Sequence, residues 1–483
     1  MATRRKKVLL IVGGVVLALV VLVILVLHFG VKGLKPQVEA SASKALGMQV
    51  RIRGSLGVSL FPVFGASVSD ISATKDGAEV ASLAGLRIGL RLFPLIRGKV
   101  DITELELVKP VISVVRLKNG KLNIEPPASG SSSGGGGAMS VKKLSISQGT
   151  VRYADLASGQ KAELDGIDLT VRDLAVGGPA GADMMKTLSF AGDLSCRTVK
   201  ANDMVLSDLA VDIAGGKGVF DVSRARLKAF GGTGNGTLHA DLSGTVPRYR
   251  IAYALKAFRI QDLLQGSANA KRMEGLADAS ADLAAGGNTS AELTRSLGGQ
   301  VSLAGDDISV NGIDIDGLLG SLDRTQSFNL ADAGGFFLAG PLGTALSRGA
   351  NVAGALAGTQ GGKSVITKLV SLWKVERGTA EAADVALATK KFRIAVKGGL
   401  NLVSESFENT VVAVLDDRGC ATFSQKVHGT FAHPEVDKMS TLKSLAAPLT
   451  SLLGVGKKLV EPSKSCVPFY TGSVAPPTGG GAK

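Results

Sequence analysis

The sequence predicts a mainly-β protein carrying one N-terminal transmembrane helix, on three observations. Residues 8–27 hold no charged or strongly polar side chain. Past them, apolar residues recur with period two in one short segment after another, the mark of strands with a single apolar face. Glycine contributes 63 of 483 residues and aromatics only 4%, so turn formers abound while the bulky side chains that fill compact cores are scarce.

Taken in order, the first element is the apolar run, which at ~1.5 Å of helical rise per residue reaches roughly 30 Å, the thickness of a bilayer's hydrocarbon core. Arg4, Arg5, Lys6 and Lys7 precede it and only Lys32 and Lys35 follow closely. That asymmetry places residues 1–7 in the cytoplasm as a basic tail and everything past the span outside. A cleaved signal peptide also starts basic and apolar, but its apolar stretch runs ~7–15 residues and a small-residue cleavage site follows at once. Here the run is longer, and the A-x-A candidate Ala40-Ser41-Ala42 stands far behind it. The span is expected to stay as an anchor.

Residues 36–46 read as a short helix with Pro36 in its first turn and Gly47 just past its end. An N-terminal β region, residues 34–125, leads to a Gly/Ser/Pro linker over 126–139, a middle β region over 140–266, a further β region over 267–436 and a last segment over 437–483 that contains Cys466. Alternation is clearest at Val50/Ile52, at Leu86, Ile88, Leu90 and Leu92, and at Tyr249, Ile251, Tyr253 and Leu255. It returns at Val301/Leu303, Ile308/Val310, Ile313/Ile315 and Phe392/Ile394/Val396. Thr289 and Glu292 form a capping box for a helix that puts Leu293 and Leu297 on one face and stops at Gly298-Gly299; residues 438–460 read as a second helix, interrupted at Pro448. Sheets that stay one-faced over so many strands must turn their apolar faces together, as a sandwich, a barrel or a long curled groove.

The formal charge of +14 raises a nucleic-acid partner. The cations are spread one or two per strand, however, without Lys/Arg clusters interleaved with aromatics. The reading is a solvated basic surface lying near anionic lipid, with no nucleic acid expected. Residues 357–364, AGTQGGKS, fit a relaxed Walker A pattern, and VVAVLDD at 411–417 is similar to a Walker B strand. A P-loop needs a buried parallel strand that delivers the loop to a helix N-terminus, and the chain shows no βαβ alternation. His28, His239, His428 and His433 are too dispersed for a metal site, no serine lies in G-x-S-x-G, and Asp306-Asp307 and Asp416-Asp417 fall at turns or strand ends. No catalytic residue, cofactor or metal is expected, and the chain reads as a non-enzyme. Cys420 and Cys466, outside the cytoplasm and alone in the C-terminal part, would on oxidation close a loop of about 46 residues and stabilise by roughly 4 kcal/mol. Cys196 is expected to be a small buried side chain.

Behind the anchor and its helix, Gly54-Ser55-Leu56, Leu86-Arg87-Ile88-Gly89, Leu92-Phe93-Pro94-Leu95-Ile96-Arg97-Gly98, Pro110-Val111-Ile112 and Asn119-Gly120-Lys121-Leu122-Asn123 resemble the N-terminal region of the AsmA family. Gly275-Leu276, Leu293-Thr294-Arg295-Ser296-Leu297-Gly298-Gly299, Asn311-Gly312-Ile313-Asp314-Ile315, Gly429-Thr430-Phe431 and the run from Cys466 to Tyr470 resemble its C-terminal block. The resemblance implies a single-pass inner-membrane protein of Gram-negative bacteria. Its bulk, an elongated, curled antiparallel β-sheet groove with a few short helices, would lie in the periplasm. The family's similarity to bridge-like lipid-transfer proteins implies phospholipid transport and outer-membrane biogenesis, with phospholipid acyl chains as partner.

In such a groove Leu86, Ile88, Leu90, Leu92, Tyr249, Ile251, Tyr253 and Leu255 are the lining candidates, and water would reach an Asp placed at positions 88 and 90. Roughly 25 strands stacked at ~4.8 Å give a groove of at most about 120 Å, which calls for an envelope protein partner, an oligomer or a more modest local role. The alternative is a periplasmic scaffold or outer-membrane assembly factor that fills the same sheet with side chains and binds protein.

Overall fold

The computed structural model describes residues 35–59, 64–91, 102–124, 139–177, 183–202, 204–265, 273–312, 314–320, 361–437, 440–441 and 466–478. The predicted span, Leu92 and nearly all of the linker lie outside them; among the described residues no helix is long and apolar enough to cross a membrane. Two units form, Met1–Lys228 with His239–Ser243, and Ala229–Leu238 with Gly244–Lys483.

In the first unit α1 (Lys35–Leu46) precedes β1 (Gln49–Ile52), β2 (Leu56–Ser59), β3 (Phe64–Lys75), β4 (Ala78–Leu90), β5 (Ile102–Arg116), β6 (Met139–Asp155), β7 (Lys161–Val176), the single turn α2 (Met184–Thr187), β8 (Ser189–Ala201), β9 (Met204–Gly216) and β10 (Val219–Ala229). β1 and β2 pair in succession along one edge of β3, and from β3 to β9 each strand pairs with the next. The expected antiparallel order is corrected at one place. β5 and β6 are parallel, because the chain between them is long enough for the crossover that a parallel neighbour requires.

The helix expected near residue 36 forms, ending at Gly47 with φ +64°. It also closes the sheet edge. Glu39 accepts the Ile52 N–H at 2.6 Å and the Ser43 hydroxyl accepts the Val50 N–H at 2.9 Å, so the outward donors of β1 are occupied rather than open to another strand. One turn apart on the same helix, Val38 and Ala42 are buried with Val50, Ile52, Val68, Leu86, Ile88 and Leu90.

A transverse line of positive-φ residues crosses this sheet. Asp70, Lys109, Gln148 and Asp208 take φ near +50° inside strands, and Gly166 takes +67°. At that level every strand steps its apolar phase by three residues instead of two: Val68 to Ile71, Leu83 to Leu86, Leu107 to Pro110, Ile146 to Gly149, Leu164 to Ile167, Cys196 to Val199, Leu206 to Leu209. Neighbouring strands take this step together, so their register is the same on both sides of the line, with a local shift at that level only between β6 and β7, at Gly149. The step returns the apolar side chains to the same face. At Gln148 the stray N–H is taken up by Asp168 of β7 at 2.9 Å.

The second unit contains β11 (Gly232–Asp241), β12 (Arg248–Arg259), α3 (Ile260–Leu263), β13 (Met273–Gly286), α4 (Ser290–Ser296), β14 (Gly298–Asn311), α5 (Ile315–Gly320), β15 (Lys363–Glu376), β16 (Thr379–Ala388), β17 (Arg393–Asn401), β18 (Ser406–Leu415), β19 (Ala421–Gly429), β20 (Pro434–Val436) and β21 (Ser440–Thr441). From β12 to β19 neighbours pair antiparallel, and β20 and β21 both pair with β19. Trp373, Ile308, Ile366, Leu369, Leu387 and Ile394 are among the residues of one filled core.

The capping box forms at α4, with Glu292 N–H donating to the Thr289 hydroxyl at 3.2 Å. The helix stops as expected just before Gly298, where β14 opens. Two expectations are corrected: Ile315 starts α5 instead of continuing a strand, and Ser440 and Thr441, expected to be helical, pair with β19.

The single apolar face also fails in β16–β18. Ile394 and its neighbour Ala395 are both fully buried, as are Val412 and Ala413. The covering layer is residues 466–478, whose Tyr470 and Val474 pack on Ala386, Ala388, Ala395, Ala413 and Leu415. Alanine on that face leaves the room. The segment is tied down by the disulfide between Cys420 and Cys466, with Cα atoms 6.2 Å apart. Its other ties are Arg393, which donates to Val474 O at 2.9 Å and lies 5.7 Å over the Tyr470 ring, and the Tyr470 hydroxyl, which donates to Asp384. Cys196 is free and buried.

Candidate functional site

Strand register turns the alternation into continuous rows. Directly paired residues run Val68, Leu86, Leu107, Ile146, Leu169, Leu194, Val211 from β3 to β9. Beside this row runs a second: Ala66, Ile88, Leu105, Leu144, Val171, Gly192, Ile213. Neither contains a polar side chain. At ~4.8 Å per strand the first spans about 29 Å.

Cover along the rows is uneven. Val68, Leu86 and Ile88 are at most 4% exposed, and Leu105 is 2% exposed. The buried cluster under α1 ends at Leu105 and Val141, with Leu107, Leu144 and Leu174 at its margin. Ile146, Leu169, Leu194 and Val211 belong to no buried cluster and are half-buried. Sheet neighbours shade them, but no layer fills the space above them among the described residues. The chemistry of this stretch is that of a dry, charge-free surface open on one side.

The opposite face is the reverse. Arg87 pairs with Glu106 at 2.9 Å, Lys143 with Glu104 at 2.8 Å, Arg172 with Asp193 at 2.7 Å and Arg224 with Asp212 at 2.6 Å. Such exposed pairs contribute little stability each, yet they keep one face wet and so hold the register that keeps the other dry. The Glu104 carboxylate beside Lys143 holds that ammonium's pKa above its usual value.

The lining candidates fall into two groups. Leu86, Ile88 and Leu90 are core residues beneath α1. Tyr249, Tyr253 and Leu255 are half-buried and Ile251 is 41% exposed, on the face of β12 that meets Ala285, Leu283, Ala281 and Ala279 of β13. Tyr253 lies across the glycine face of β11, its ring against Gly234 and Gly236, and burial pushes its phenol pKa up. Ile146, Leu169, Leu194 and Val211 were not singled out from sequence; the three-residue phase step was the available signal.

The Walker-like string ends in Lys363 and Ser364, which open β15 opposite Asn311 and Val310. Ser364 accepts the Ile315 N–H at 2.7 Å. A strand therefore follows the glycines where a P-loop requires a helix.

Fold and rows together define a mainly-β protein whose first unit carries a continuous aliphatic face. The chain belongs to the AsmA family, whose family model matches residues 1–185 and 180–336. No curated protein matches it.

Proposed function

We propose that this chain moves phospholipid, holding acyl chains along the half-open rows of the first unit. In this reading residues 8–27 anchor it in the inner membrane with its bulk in the periplasm, and the process served is phospholipid transport in outer-membrane biogenesis. The observation that carries the reading is the uninterrupted aliphatic row Ile146–Leu169–Leu194–Val211, on which no layer packs among the described residues.

At about 0.8 kcal/mol per CH₂, two acyl chains of about sixteen carbons bared to water cost on the order of 25 kcal/mol. An aliphatic row offsets that cost without fixed polar contacts, so lipid can slide along it. The proposal needs no bond-making step, cofactor or nucleic acid; a partner or second copy would extend the path. The filled cores around Leu86 and Trp373 favour, at those places, a scaffold that binds protein. Mass spectrometry of lipid co-purified with the full chain separates the two. The transport reading expects bound phospholipid, strongly depleted in a Leu169→Asp, Leu194→Asp variant, whereas lipid-free wild-type protein supports the scaffold.

A further inference from the structure

One end of strands β5–β9 in the first unit combines protruding aliphatic residues with cations that have no ion-pair partner among the described residues. Leu117, Leu156, Met204 and Val205 are 38%, 50%, 41% and 54% exposed. Backbone pairing makes them neighbours: Leu156 N–H donates to Arg116 O at 2.9 Å, Leu117 N–H to Lys121 O at 2.8 Å, and Met204 and Val205 lie opposite Ala201 and Lys200. Among them stand Lys118, Lys121, Lys161 and Lys200, all exposed. Among the described residues the nearby carboxylates are taken. Asp155 is buried against Arg116 at 2.9 Å, and Glu163 pairs with Arg152 at 3.3 Å. Between Arg152, Glu163, Lys161 and Lys200 the surface dips into a cavity of about 450 Å³.

We propose that this strand end docks on an anionic phospholipid surface, the four lysines meeting headgroups while Leu117, Leu156, Met204 and Val205 enter the interface. The aliphatic groups project singly from turns and strand ends, as insertion into a bilayer interface allows. A protein partner would instead anchor its hot-spot side chains in a packed apolar pocket, whereas the cavity at this place is bordered by the charged groups of Arg152, Lys161, Glu163 and Lys200. The proposal does not depend on what occupies the aliphatic rows.

The test uses the full chain reconstituted in phosphatidylcholine nanodiscs and mixed with vesicles, scored by co-flotation. Wild type should float with phosphatidylglycerol-rich vesicles, not with phosphatidylcholine vesicles, and binding should fade as salt rises. Each lysine near an anionic surface is worth about fivefold, so converting Lys118, Lys121, Lys161 and Lys200 to Gln should weaken binding by on the order of a hundredfold or more. Leu117→Asp with Leu156→Asp should weaken it while leaving the lysines in place. Undiminished flotation of the Gln variant, or equal flotation with both lipids, overturns the proposal. So does absence of flotation, which leaves an acidic protein as the partner that fits the patch.

Discussion

Leu86 and Leu194 stand on the same cross-strand row, yet charge at the two places should have opposite results. Ile88 and Leu90 share the core of Leu86 beneath α1, so the expectation that water reaches Asp at 88 and 90 is overturned by their burial, 4% and 3% exposed. Unpaired charge there has neither solvent nor a partner, and Ile88→Asp with Leu90→Asp should cost more than about 4 kcal/mol, seen as loss of the cooperative thermal transition. Leu169→Asp with Leu194→Asp should keep the β circular dichroism spectrum, because solvent reaches both positions. Unfolding of this second variant would mean that a filled core exists there too. A quieter contrast concerns Gly234, where an added Cβ would meet the Tyr253 hydroxyl at 2.0 Å. Gly234→Val should destabilise by about 1–3 kcal/mol, measured by denaturant melting, and a further Tyr253→Ala change should recover part of the loss.

At the scale of elements, the 466–478 segment makes a pH-dependent contact. Burial, then the hydrogen bond to Asp384, pushes the Tyr470 phenol up to about 12 from its usual 10.0. A raised pKa favours the protonated form in the folded state. The contact's stability is therefore fully present below pH 10 and is lost as pH rises through 12. Hydrogen exchange at Val474, whose N–H donates to the Tyr470 hydroxyl at 3.0 Å, should accelerate across that window beyond the intrinsic base-catalysed rise; in Tyr470→Phe the excess should vanish. Cys420→Ser with Cys466→Ser should lower stability by roughly 4 kcal/mol if the chain-entropy account holds; an unchanged melting temperature would show that the packing of Tyr470 and Val474 alone holds the segment.

Element identity was largely legible. Alternation located β1, β4, β12, β14 and β17, the capping box located α4, and Gly47 marked the end of α1. The positive-φ line was not legible as turns are, because Asp70, Lys109, Gln148 and Asp208 are not glycines; its trace was the shifted apolar phase. The layer on β16–β18 left only alanines where polar residues were expected, a weak signal that needs the disulfide to interpret.

For the molecule as a whole, sequence reading reached the sheet, the disulfide and the family, while cover on the apolar face depends on tertiary packing that alternation does not encode. That is why Leu86, with the clearest alternation, is core and Leu194, in a weaker pattern, is open. Lys363→Ala should leave function intact, since Lys363 begins a strand; ATP affinity that disappears in this variant would restore the nucleotide reading. The central claim, that the open part of the aliphatic rows is a lipid path, is tested most directly by photo-crosslinking in cells. A photoreactive residue replaces Leu169, Leu194 or Val211 on the apolar face, or Arg172 or Asp193 on the charged face. Phospholipid adducts at the first three positions and none at the last two are the predicted result. Adducts absent from all five, or equal on both faces, would contradict it.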